Sequence, residues 1–242
     1  MCEILPYTYE DHSSISLFFH RAGLRTEKER AEYIPTQIAC FFEEVKETLT
    51  TMDKFFHRKE KLDREQLADD LGDVLFSGMG LVYMLYGDVI DADFYEYLNE
   101  YACLLNSQKR EADELTFIMK NEMLNIKAAQ MHFKRGINKK SIDGAVQRII
   151  AAATLLGRLY DIDVPDAFDV VIESNASKFD DNEKDAGLTV AKYRELGINV
   201  KQACVDGAWV TRVDGTQKLD DKEWPDEKII KSHLWREPVF GY

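Results

Sequence analysis

Apolar residues recur at helical spacing through most of this chain. Ile38, Phe41, Phe42, Val45 and Leu49 share one helix face,. They predict a helix entered at Pro35, a residue suited to a first turn, and running to about Phe56,. A separate short helix is expected before it, opened by the capping box Thr26-x-x-Glu29,. His57 to Leu62 then forms a basic connector. Asp63-x-x-Gln66 is a second capping-box candidate, opening a helix from Arg64 to about Tyr86 with Leu67, Leu71, Val74, Leu75, Leu81 and Leu85 as its apolar set,. Gly72, Gly78 and Gly80 cost that helix propensity and make sense where another helix packs closely,. Further helices are predicted over Ala92–Asn106, Ala112–Lys134, Ser141–Tyr160 and Pro165–Phe179, in a zone without proline between Pro35 and Pro165.

The pattern changes after Lys178. A polar stretch leads to a short helix near Asp185–Leu196. Val200–Val205 and Trp209–Val213, joined through Asp206-Gly207, alternate as a β-hairpin does, and Lys228–Ser232 is a candidate third strand,. The expected fold is therefore mainly α: a helical bundle over residues 1–180 carrying a small α/β appendage over 181–242.

An internal echo runs through the bundle. Asp69-Asp70-Leu-Gly-Asp73 leads into an apolar helix ending Leu85-Tyr86, and Gly144-Ala-Val-Gln147 leads into another ending Leu159-Tyr160. Glu43-Glu44-Val-Lys-Glu47 has a weaker counterpart in Asn121-Glu122-Met-Leu-Asn125. Two readings stay open: repeats over about 35–105 and 112–180, the second without its acidic pairs, or chance similarity between amphipathic helices.

Composition narrows the class. The 242 residues can bury a substantial core, and 45% hydrophobic with 31% charged residues is ordinary for a globular protein,. A formal charge of −13 lacks the basic footprint of nucleic-acid binders, so no polymer partner is expected,. Cys2, Cys40, Cys103 and Cys204 show no metal-ligand spacing, which favours reduced thiols and a cytoplasmic setting, a host cytoplasm if the chain is phage-encoded,. The first twelve residues do not read as a signal peptide,. No apolar run approaches the ~20 residues of a membrane span, so no membrane partner is expected. His12, His20, His57, His132 and His233 show no ligand spacing. The basic residues Lys134, Arg135, Lys139 and Lys140 read as a polar loop, and there is no P-loop motif,. Trp209, Trp224 and Trp235 are read chiefly as packing in the tail.

The chemistry is concentrated in two acidic pairs, Glu44/Glu47 and Asp70/Asp73. Residues three apart share a helix face. At ~1.5 Å per residue Glu47 lies roughly 15 Å before His57 and Asp70 roughly 10 Å beyond Asp63, so a hairpin at the connector brings the pairs level. Four such carboxylates repel one another unless a cation binds them, and an all-oxygen set suits a hard ion such as Mg²⁺. A single pair would read as a solvated helix face. The second pair lies on an otherwise apolar helix, which favours a metal cage.

Glu43-Glu44-x-x-Glu47 followed by an acidic-x-x-Asp pair resembles the all-α nucleoside triphosphate pyrophosphohydrolases, which include MazG-like enzymes, phosphoribosyl-ATP pyrophosphohydrolase-like proteins and dimeric dUTPases. Their usual second motif is ExxD, and Asp70 here stands where Glu is usual. Glu173-Ser-Asn175-Ala-Ser-Lys178-Phe179 looks like a segment of phage and bacterial MazG-like proteins, as do Lys192-Tyr193 with Gly197, and Lys228 to Ser232 with Pro238.

The resemblance implies a MazG-like bundle in which Glu44, Glu47, Asp70 and Asp73 coordinate Mg²⁺, with Mn²⁺ able to substitute and Glu43 a weaker participant. It implies hydrolysis of a nucleoside triphosphate to the monophosphate and pyrophosphate by metal-activated water, with Glu47, or else Glu44, as proton acceptor. Asn175, Lys178 and Lys231 would contact the nucleotide, and a homodimer is expected. Asn175 also reads as a helix C-terminal cap, and Lys178, Lys228 and Lys231 as exposed solubilising residues. The alternatives are a dUTPase- or dCTPase-type enzyme of nucleotide pools, and a non-catalytic nucleotide or alarmone sensor.

Overall fold

A computed structural model describes residues 9–89, 92–131, 139–219 and 222–241. Cys2, His132, Lys134, Arg135 and the end of the helix expected over Ala112–Lys134 lie outside the described residues.

The capping box at Thr26 forms as expected: Glu29 N donates to Thr26 Oγ1 at 3.2 Å and Thr26 N donates to Glu29 Oε2 at 2.8 Å. The helix it opens does not stop before Pro35. It runs unbroken as α2 over Glu27–Arg58, with the proline inside it, so the expected short helix and its successor are one element. A proline inside a helix costs ~3 kcal/mol or more. Tyr33, Ile34, Gln37 and Ile38 are buried on both sides of Pro35, and that burial outweighs the loss,. Lys59 closes α2 in the left-handed conformation (φ 56°).

Asp63 caps α3 (Arg64–Tyr86), accepting from Gln66 N at 3.1 Å. The reciprocal half of that expected box is absent, because Gln66 Nε2 donates to Asp70 Oδ1 at 2.8 Å instead. The remaining bundle helices are α4 (Ala92–Ser107), α5 (Ala112–Met131), α6 (Lys139–Leu159) and α7 (Val164–Ala176). They follow the predicted spans within a few residues. The sequence pattern gave no sign of the first helix, α1 (Tyr9–Arg21), whose Phe18 and Phe19 pack against Phe76 and Tyr83 of α3.

α3 is the central element and packs against α1, α2, α6 and α7. Its glycines sit at the closest approaches. A Cβ on Gly72 would lie 2.7 Å from Val171 Cγ2 and 2.8 Å from the Ala167 carbonyl oxygen, so α7 touches α3 backbone to backbone. The hairpins α2–α3 and α5–α6 are joined reciprocally: α3 meets α6, α7 lies on α3, and α4 lies on α6.

The C-terminal part contains α8 (Glu183–Glu195) and two antiparallel hairpins. β1 (Val200–Val205) pairs with β2 (Ala208–Val213), and β3 (Gln217–Leu219) with β4 (Lys222–Trp224). Asp206 and Gly207 both take positive φ, the tight turn that Asp-Gly favours,. The expected third strand is reduced to an isolated bridge, in which Val213 N donates to Lys228 O and Ile230 N to Thr211 O, both at 3.0 Å. Tyr193, Ile198, Val200, Val213 and Ile230 form a small apolar cluster of their own, while Ala208, Val210 and Ile229 join the main core. The fold is thus mainly α with a small C-terminal β-containing appendage. Among the described residues no helix is long and apolar enough to cross a membrane.

Candidate functional site

Two small cavities, of about 80 and 60 Å³, lie where α2, α3, α7 and the segment 228–238 meet. Asp73, Asn175 and Lys178 line both and form the wall between them. The larger is polar, completed by Asp69, Ser174, Lys231 and Trp235. The smaller is flanked by Glu44 and Lys228 and by the aromatic rings of Phe18, Phe19, Tyr33 and Phe76.

The two acidic helices meet here for the reason their sequence suggested. α2 and α3 fold back at residues 59–63 and bring Glu44 and Glu47 opposite Asp73. Burial pushes the Glu44 carboxyl well above the usual carboxylate range, and repulsion from Asp73 and Glu47 adds to the effect,. Burial raises Asp73 as well, against the opposing pull of Lys178 and Lys231. Glu47 stands exposed at the rim, close enough to repel Glu44, Asp69 and Asp73.

The third predicted ligand is turned elsewhere. Asp70 is buried, and its two oxygens accept from Thr51 Oγ1 at 2.6 Å and from Gln66 Nε2 at 2.8 Å. Asp69 takes the side facing the cavity; burial and the neighbouring Asp73 and Asp70 carboxylates push its pKa up to about 7. Helical spacing had left this choice open, since residues three and four before Asp73 both share its face. Glu43, the weaker candidate, is paired with Lys228.

Cations answer these acids from the other end of the chain. Lys178, two residues past the last turn of α7, lines both cavities beside Asp73 and Glu44; burial lowers its pKa while those two acids oppose the shift. Lys228 is held high by its neighbours Cys40 and Glu43 despite burial. Lys231 is exposed by residue, but its Nζ lies 3.4 Å from the centroid of the Trp235 ring and it lines the polar cavity. None of the three is the purely solubilising lysine of the plainer reading. Asn175 precedes the C-cap Ser177 of α7, so it is not the cap itself. Its Nδ2 donates to Val171 O at 2.9 Å, and its buried Oδ1 has no protein donor.

The sequence reading missed Asp69, Ser174 and Trp235. Trp235 is part of the wall, its Nε1 donating to Ser174 Oγ at 3.1 Å. Only Asp69 had a usable signal, its position four before Asp73. Asp180, which is 1% exposed, ties down at Ser232 the segment that carries Lys228 and Lys231. It accepts from Ser232 Oγ and, at 2.8 Å, from Thr189 Oγ1, and its backbone bridges Trp209.

Hard oxygen donors, three of them raised in pKa by burial first and by neighbouring acids second, are the donor set a divalent cation suits,. Glu44, Glu47 and Asp73 converge with Asp69 on the same side. Among the described residues no three His, Cys, Asp or Glu side chains are drawn together tightly enough to grip an ion as they stand, and lysines supply the compensating charge.

No protein-family model matches this chain, and no curated protein or solved structure matches it either.

Proposed function

We propose that the protein is a Mg²⁺-dependent nucleoside triphosphate pyrophosphohydrolase of the MazG-like type, releasing a nucleoside monophosphate and pyrophosphate. The observation that carries this reading is the facing of Glu44 and Asp73 by Lys178, in the wall shared by two adjoining small cavities, with Lys231 on the polar one and Lys228 on the other. An acidic floor suits a metal ion. Lysines opposite it suit phosphate oxygens. A triphosphate with its cation needs both.

Glu44, Glu47 and Asp73, with Asp69, would hold magnesium, which when bound would screen phosphate charge and make a water more acidic. Glu47, exposed at the rim, would accept a proton from the attacking water,. Lys178 and Lys231 would take phosphate oxygens and offset the charge of the departing pyrophosphate. The free Oδ1 of Asn175 would accept from the sugar or base. The aromatic wall of the smaller cavity would border the base and exclude water. The alternatives of a dUTPase- or dCTPase-type enzyme and of a non-catalytic nucleotide or alarmone sensor use the same groups. Turnover separates the sensor from the enzymes, and substrate range separates the enzymes from one another.

The test is to incubate the full chain with each common NTP and dNTP, with and without Mg²⁺, and to resolve products by ion-exchange chromatography. Monophosphate plus pyrophosphate, lost in Glu47→Gln with the fold unchanged by circular dichroism, is the expected result. Metal-dependent binding without turnover would replace the enzyme by a sensor, and full activity in Glu47→Gln would overturn the assignment of the site.

A further inference from the structure

A cleft of about 490 Å³ lies along α4 and α6, bordered by Tyr86, Phe94, Tyr97, Asp143, Gln147 and Arg148. Its position repeats that of the polar cavity. Asp143 and Gln147 stand on α6 at the interval of Asp69 and Asp73 on α3, and Glu122 and Asn125 stand on α5 at the interval of Glu44 and Glu47 on α2. α4 lies on α6 as α7 lies on α3.

The chemistry at this second place has been rewritten. Two of the four corresponding acids are amides, Asn125 and Gln147. Glu122 is neutralised by Arg148 through two contacts of 2.8 Å, Nε to Oε1 and the terminal nitrogen to Oε2,. Asp143 accepts from Tyr86 Oη at 3.1 Å and from Gln147 Nε2 at 3.1 Å. Of the four corresponding positions none keeps an unpaired carboxylate, and the cleft's other acid is the exposed Asp93 on α4.

Gln147 carries the argument further. It is 4% exposed, and its Oε1 has no donor within the protein. The orientation is fixed by its neighbour, since a carboxylate accepts and therefore draws the NH₂ group, turning the carbonyl away. A buried acceptor without a donor is costly, and a ligand N–H would meet it. Around it stand three aromatic side chains, two of them, Tyr86 and Tyr97, more than a third exposed. An exposed Lys140 at the same cleft adds a cation for an anionic substituent. A flat heterocycle with an N–H edge meets all of these groups.

We infer that the α4–α6 cleft binds the nucleobase of a nucleotide without a metal ion, as a site distinct from the polar cavity. The inference stands on this cleft alone and does not depend on turnover at the other site.

Calorimetric titration of the full chain in EDTA with AMP, GMP, CMP, UMP and dTMP tests it. At least one should bind with one-to-one stoichiometry. Tyr97→Ala, at a half-exposed position that leaves the core intact, and Gln147→Met should each weaken that binding about tenfold. Asn175→Ala, in the first site, should leave it unchanged. Absence of binding by all five nucleotides would overturn the inference. So would binding that Asn175→Ala weakens and Tyr97→Ala does not.

Discussion

Thr51 Oγ1 donates a 2.6 Å hydrogen bond to Asp70 Oδ2, tying α2 to α3 through a buried carboxylate. This bond, with the one from Gln66, divides two adjacent aspartates between two tasks: Asp70 joins the helices and Asp69 faces the cavity.

Substitution should separate those tasks. Asp70→Ala leaves the Thr51 and Gln66 donors unmet and is expected to cost about 1–3 kcal/mol in urea denaturation,. Asp69→Asn should change stability by less than about 0.5 kcal/mol while removing Mg²⁺-dependent turnover. Turnover retained in Asp69→Asn and lost in Asp70→Asn would return Asp70 to the metal.

The contact of α7 with α3 positions Asn175 and Lys178, and it depends on Gly72. An added methyl there meets the Ala167 carbonyl at 2.8 Å, a backbone atom that cannot swing aside. Gly72→Ala should destabilise the fold by about 1–3 kcal/mol from overpacking, more than the helix-propensity gain of about 1 kcal/mol. Thermal denaturation reads the loss, and a raised KM would show the displaced α7.

His12 is 1% exposed, and its Nε2 lies 3.0 Å from the Gly87 carbonyl oxygen. Burial holds its pKa below the ordinary 6.5, and the Gly87 carbonyl and the nearby Asp88 offset only part of the effect. The unfolded chain therefore takes up this proton first as pH falls. The stability this residue contributes is complete above 6.5 and is lost progressively below it,. Urea midpoints at about pH 7.5 and about pH 5.5 should differ, and His12→Gln should reduce that difference.

Asp180 fastens the segment that carries Lys228 and Lys231. Asp180→Ala strands Ser232, leaves Thr189 only its contacts with His233, and is expected to cost about 1–3 kcal/mol,. If the tether positions those lysines, KM for the triphosphate should rise more than kcat falls. Unchanged kinetics in a destabilised variant would reduce Asp180 to a purely structural anchor.

Much of the bundle was legible in order and spacing. The apolar faces of α2 and α3, the caps at Thr26 and Asp63 and the Asp-Gly turn each rest on neighbours within a few residues, so local rules reach them. Pro35 shows where local rules stop, because burial of Tyr33, Ile34 and Ile38 against distant elements overrides a nearby helix breaker. α1 was invisible because the aromatic rings it meets belong to α3.

For the site, the sequence by itself determined that Glu44, Glu47 and Asp73 would converge. Helical pitch and a short connector bring those positions level on facing sides of the hairpin. Only the tertiary structure decided that Asp69 rather than Asp70 faces the cavity, and that Lys228 and Trp235 join the expected Lys178 and Lys231 around it. Those choices turn on hydrogen bonds such as Thr51 to Asp70, and on a tail anchored through Asp180. Such contacts join residues far apart in the chain, and no periodicity records them.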